Sequence, residues 1–177
     1  ITSNAPNKVT INWGDGSALE QIVFNYRGTN DYTFNIQDSY HTFSGTDAFY
    51  DVSFSLENPD AIIRFQTLRV NLGENFPNGI VNLINLEVLK LRRITGIVNF
   101  PNDLSALKKL REFTLEGASL SEIPLSVLNL KNLQVLGLRS SINLSQPFTD
   151  TNFDKINRLQ NTLKQLLLNF TNLQSLP

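Results

Sequence analysis

Residues 86–91 read LEVLKL, and the same cadence returns as LREFTL at 110–115, LQVLGL at 133–138 and LKQLLL at 163–168. In each copy two apolar side chains stand two residues apart: Leu89/Leu91, Phe113/Leu115, Leu136/Leu138 and Leu166/Leu168. A spacing of two is that of a strand with one buried side. A weaker copy, IIRFQT at 62–67, puts Phe65 and Thr67 in the same places. The first strand positions are 24, 24, 23 and 30 residues apart. A period of this length marks stacked structural repeats.

The second halves of the copies keep phase as well. Phe76-Pro77 and Phe100-Pro101 begin eleven residues after their first strand positions, and Ile123-Pro124 and Leu176-Pro177 begin ten residues after theirs. NLINL (82–86), ALKKL (106–110) and NLKNL (129–133) then lead into the next strand. These lines resemble the leucine-rich repeat family, LxxLxxLxL…LP…L, over residues 59–177. One copy cannot bury its own apolar row. Stacking strands about 4.8 Å apart in a parallel sheet merges the rows into one core, so each of these leucines is assigned to that core. The resemblance implies a short solenoid of about five rungs, with the parallel sheet on its concave face. The family's asparagine, five residues after the first strand position, is replaced here by Val70, Ile94, Ala118, Ser141 and Thr171. That turn is therefore expected to be packed by apolar contacts. The fourth copy is lengthened within SQPFTDTNFDKINRLQNTL (145–163), where Asp150, Thr151 or Asn152 is expected to cap a short helix facing Phe153, Ile156 and Leu159 to the core. The sequence stops in mid-repeat at Leu176-Pro177, and the expectation is a piece of a longer chain or assembly.

Residues 1–58 have a different pattern. Residues 9–13, 22–26, 32–36 and 48–56 alternate as short strands, separated by breaks at Gly14-Asp15-Gly16, Gly28-Thr29-Asn30-Asp31 and Ser44-Gly45-Thr46-Asp47. They predict a small antiparallel β-sandwich. VTINWGDGS (9–17), HTF (41–43), Gly45 and FYDVSFSL (49–56) resemble the PKD-like immunoglobulin-type sandwich. In that family the module is an extracellular spacer or binding domain, as on bacterial surface proteins. Trp13 is expected at the edge of the core, its indole N–H needing a partner. His41 is expected to bond within its own turn. The spacing of Asp15, Asp47 and Asp51 matches no calcium loop, and no metal is assigned. The fold class is thus mixed β and α/β: a sandwich over 1–58 joined near Glu57–Asp60 to the repeat over 59–177. The sandwich is expected to cap the repeat's first rung and to resist proteolysis near residue 59.

Charge follows the same division. Residues 1–58 carry two basic and seven acidic residues, and 59–177 carry thirteen basic and nine acidic. That surplus is too small to indicate nucleic acid. No apolar run reaches the roughly 18 residues of a membrane helix, so the chain is not expected to be membrane-embedded. Cysteine is absent and histidine occurs once, which leaves no thiolate chemistry and only His41 for any triad. There is no HExxH, phosphate-binding glycine loop or nucleophile elbow. No enzyme activity, cofactor or metal is expected.

The outward strand positions are the candidate site: Arg64, Gln66, Lys90, Arg92, Glu112, Thr114, Glu116, Arg139, Gln165 and Asn169. One reading makes them a mixed-charge concave surface for a protein or glycan ligand, in a non-catalytic adhesion or recognition module at the cell surface. A virion or phage-tail attachment component is the first alternative, and an intracellular scaffold the second. A competing reading has Lys90 and Arg92 pair with Glu112 and Glu116 across neighbouring strands, each exposed pair worth about 0–1 kcal/mol.

Overall fold

A computed structural model describes residues 1–14, 16–28, 32–35, 53–68, 74–94, 97, 99–118, 120, 123–139 and 150–167. The chain divides into two compact units, Ile1–Ile63 and Arg64–Pro177. Asp15, His41, Asp47 and Asp51 lie outside the described residues, as do Val70, Ser141 and Thr171.

In the first unit the alternating KVTIN forms β2 (Lys8–Asn12), with Val9 and Ile11 fully buried and Trp13 continuing on their side. β2 pairs antiparallel with β3 (Glu20–Val23) on one edge and β6 (Ser53–Leu56) on the other. A second set pairs β5 (Tyr32–Thr33) antiparallel with β1 (Thr2–Ser3) and β4 (Asn25–Tyr26). The stretch 22–26, which alternation reads as one strand, is therefore two strands in two sheets. The chain changes partner at Phe24, whose amide donates to the Asn7 carbonyl at 3.0 Å. Its buried ring stacks on Phe34 at 5.8 Å between centroids. The expected strand at 32–36 is a strand only at Tyr32–Thr33 among the described residues, and the one at 48–56 is described only from Ser53.

Polar groups close this unit. Buried Asn7 donates from Nδ2 to the Asn58 carbonyl at 2.6 Å, and its Oδ1 accepts from the Asn58 amide at 3.1 Å. The Trp13 indole finds its partner in Glu20 Oε2 at 2.9 Å. Gly14 and Gly16 take φ of 78° and 80°, the backbone that the turn after Trp13 requires.

The second unit is built on a parallel ladder of β7 (Ile62–Leu68), β8 (Val88–Arg92), β9 (Glu112–Glu116), β10 (Val135–Arg139) and β11 (Gln165–Leu167), in spatial order β7-β8-β9-β10-β11. The first two residues of β7 belong to the first unit. Register puts Phe65, Leu89, Phe113, Leu136 and Leu166 in one row, and Thr67, Leu91, Leu115 and Leu138 in the next. Leu89, Leu91, Phe113, Leu115, Leu136 and Leu138 are at most 1% exposed. Truncating such a side chain to alanine costs about 2–5 kcal/mol.

The rungs are also tied at both strand ends. Just before each strand one carbonyl accepts two amides of the next rung: Glu87 from Arg111 and Glu112, Arg111 from Gln134 and Val135, and Gln134 from Lys164 and Gln165. Just after the strands, Ile94 donates to Glu116 and Gly117 to Arg139. Ile94 and Ala118 are buried, so the turn that lacks the family's asparagine is closed by apolar packing and these inter-rung bonds. An asparagine ladder occurs elsewhere. Asn99 Nδ2 donates to Asn75 Oδ1 at 3.1 Å, beside backbone bonds from Phe76 to Asn99 and from Asn99 to Glu74. Phe76, Phe100 and Phe113 then follow in series, the first pair tilted with centroids 4.9 Å apart and the second edge-to-face at 6.3 Å. The return segments include 3-10 turns at Asn78–Asn82 and Leu125–Asn129, and they bury Leu83, Leu86, Leu107, Leu110, Leu130 and Leu133.

The lengthened copy does form a helix, α1 (Asp150–Asn157). Leu159 is buried as expected and Ile156 half-buried. Lys155, which the helical pattern assigns to solvent, is 4% exposed and donates from Nζ to the Ile123 carbonyl at 2.8 Å. Its long stem lies in the core while the ammonium satisfies a backbone acceptor of an earlier rung.

Arg93 and Gly117 hold the same repeat position, immediately after β8 and β9, and both have positive φ, 50° and 92°. A Cβ at Gly117 would lie 2.5 Å from the Ile94 carbonyl oxygen. Left-handed backbone costs a residue with a Cβ about 1–2 kcal/mol. Gly117→Ala is expected to destabilise by at least about 2 kcal/mol in denaturant melts. Arg93→Gly is expected to leave stability unchanged or raise it by up to about 1 kcal/mol, because relief of strain outweighs a weak ion pair.

Candidate functional site

Alternation along the ladder turns one set of side chains away from the leucine core. The first outward row is Arg64, Val88, Glu112, Val135 and Gln165, and the second is Gln66, Lys90, Thr114, Gly137 and Leu167. A third row includes Arg92, Glu116 and Arg139, with Glu116 and Arg139 in register. Nine of the ten expected site residues therefore stand on adjacent strands of one face, and Asn169 lies outside the described residues. Arg64, Gln66, Arg92 and Gln165 are exposed, whereas Lys90, Glu112, Glu116 and Arg139 are half-buried.

Thr114 differs from expectation. It is 7% exposed and buried. Its neighbour in register is Gly137, where an added Cβ would meet Thr114 Oγ1 at 3.0 Å and Cγ2 at 3.1 Å. The threonine fills the space that the missing side chain leaves, and it serves as floor.

The charges pair across strands. Lys90 Nζ lies 2.7 Å from Glu112 Oε1, reaching diagonally past its register partner Thr114. Arg92 Nε lies 3.4 Å from Glu116 Oε2, and Arg93 Nε 3.9 Å from Glu116 Oε1. Arg111 pairs with Glu87 at the entry to the strands. All these side chains are at least a fifth exposed, so each pair contributes about 0–1 kcal/mol. The pairing that competed with ligand binding in the sequence is therefore present, but it holds little of the stability. Arg93 is the residue that sequence reasoning missed, because it follows the strand instead of lying within it. Its alignment with Gly117 was the available signal.

A separate hollow of about 620 Å³ lies on the return segments, lined by Asp103, Ser105, Lys108, Asn129, Lys131 and Asn132. Asp103 accepts from the Ser105 hydroxyl at 2.7 Å, the Ser105 amide at 2.8 Å and Asn129 Nδ2 at 2.9 Å. The Ser105 bonds, side chain first and then backbone, hold its carboxyl below the ordinary aspartate range. Asn132 Nδ2 donates to the Lys108 carbonyl of the preceding rung at 2.7 Å. The bonds from Asn129 to Asp103 and from Asn132 to Lys108 thus join two rungs across the hollow.

Register, leucine rows and return segments make the second unit a repeat of parallel strands with leucine-lined rows. No family model matches the chain, and no curated protein matches it. Among solved structures it is similar to a leucine-rich repeat (LRR) protein of Leptospira interrogans, at 25% identity and a TM-score of 0.41, over 68% of this chain and 34% of that one. The chain thus spans about a third of that protein's length.

Two measurements test this geometry. Gly137→Ala is expected to destabilise by about 1 kcal/mol, and that cost should vanish in a Thr114→Ala background, giving a coupled double-mutant cycle. Additive losses would contradict the close approach of the two residues. For Asp103, the folded state lowers the pKa, so its contribution is complete above the ordinary aspartate range. It is lost as pH falls through the lower folded value. The melting-temperature gap between the native protein and Asp103→Ala should therefore be constant near neutral pH and close on acidification.

Proposed function

We propose that the chain is a non-catalytic recognition module that binds a protein partner through the outward face of the β7–β11 ladder. The observation that carries this reading is the register. Side chains from adjacent strands stand in continuous rows over a floor of buried leucines, so the surface is preorganised by the core. The ion pairs on that face cost little to rearrange. The chain has one histidine and no cysteine, which leaves little material for a nucleophile and base. Residues 7–58 are proposed as a PKD-like module, and the parent protein as one displayed outside the cell. Detection of the parent only in the cytoplasm would contradict that placement.

Selection of a random peptide library on the chain tests the binding face. Peptides so selected should bind at least tenfold more weakly to a Gln66→Trp/Gln165→Trp variant and unchanged to Lys108→Trp on the return side. Equal binding to the blocked variant would contradict the reading. Glu116→Lys separates binding from stability: the melt should shift by no more than about 1 kcal/mol while binding changes. Lost stability with unchanged binding would return the charges to a purely structural role.

A further inference from the structure

We propose that Arg92, Arg93 and Arg139, grouped around Glu116, recognise the carboxylates of an acidic segment of a protein partner. This rests on the outward face being the binding face, and it names the chemistry at one end of that face.

The first ground is local charge imbalance. Lys90 has its own carboxylate in Glu112, and Arg111 has Glu87. At the exit end of the strands the carboxylate of Glu116 serves both Arg92 and Arg93, and Arg139 stands in register with Glu116 on the next strand. Arg92 Nε donates a long hydrogen bond to Glu116 Oε2 at 3.4 Å, and Arg93 Nε stands further off at 3.9 Å, both longer than the roughly 2.7–2.9 Å of strong charge-assisted bonds. The Arg92 and Arg93 side chains are about half exposed. Their guanidinium forks therefore remain able to take a second anion, and a fork of this kind matches a carboxylate in two parallel bonds.

The second ground is strain. Arg93 holds a left-handed backbone at φ 50°, where the next rung uses Gly117. A glycine would relieve that strain, and the long contact to Glu116 does not offset it. Non-glycine residues kept in such backbone cluster where function requires their side chains.

The third ground selects a polypeptide over a sugar. Sugars stack their C–H faces on aromatic rings, and no described outward strand position holds one. Along the same face, the outward rows that precede the arginines present Val88, Val135 and Leu167, which suit the apolar side chains of a peptide.

The test is fluorescence anisotropy with a short labelled glutamate-rich peptide and its glutamine counterpart, at low and physiological ionic strength. The chain should prefer the glutamate peptide, more so at low salt. Arg93→Gly should keep its melting temperature yet bind about tenfold more weakly. Arg92→Gln/Arg139→Gln should lose binding further, and Lys108→Gln should bind as the native chain does. Equal affinity for the two peptides, unchanged binding by Arg93→Gly, an equal loss in Lys108→Gln, or tighter binding of polygalacturonate than of the peptide would each overturn the proposal. Such a failure leaves the outward-face reading to the blocked-face selection, whose library has no acidic bias.

Discussion

The row of Phe65, Leu89, Phe113, Leu136 and Leu166 depends on parallel register, and everything else in the second unit depends on that row. A shift of one residue between neighbouring strands would turn leucines outward and arginines inward. Two features forbid it. The leucines of the return segments are buried together with the row, so a shift would expose apolar surface. The paired amides that bond to Glu87, Arg111 and Gln134 lock the point at which each strand begins. Hydrophobic burial supplies the driving force, and the backbone acceptors fix its alignment.

The outward face inherits its order from this arrangement. Its ion pairs are too exposed to hold the ladder together, and the ladder holds them. Two local devices shape that face. Gly137 makes room for Thr114, which becomes floor. The left-handed turn after β8 carries an arginine, and the next rung carries a glycine. The first is a packing economy. The second places an extra cation at the exit end of the strands, where Arg92 and Arg139 already stand.

The repeat was legible because its signal is redundant: several positions recur in phase over copies of nearly equal length. The strand register, buried leucines, apolar turn at Ile94 and Ala118, and inserted helix all follow from it. Features decided by a single contact were not legible. Lys155 reads as a surface residue, and its burial goes with the bond from its ammonium to the Ile123 carbonyl of an earlier rung, which no local pattern reveals. The division of 22–26 at Phe24 depends on a ring from a distant segment, Phe34. Thr114 reads as an exposed strand residue, and only the glycine opposite it explains its burial. Asn75 and Asn99 share a phase, each ten residues after its first strand position Phe65 or Leu89, but that phase is not the family's asparagine position. Trp13 reads as a residue at the core edge whose indole N–H needs a partner, and Glu20 is that partner.

The claim that the rungs share one core is tested most directly by native-state hydrogen exchange on the ladder amides. The account predicts that amides within β8, β9 and β10 are the slowest of the second unit. They should exchange through a common opening whose free energy equals that of global unfolding. Separate openings for the three strands, each with its own free energy, would contradict it.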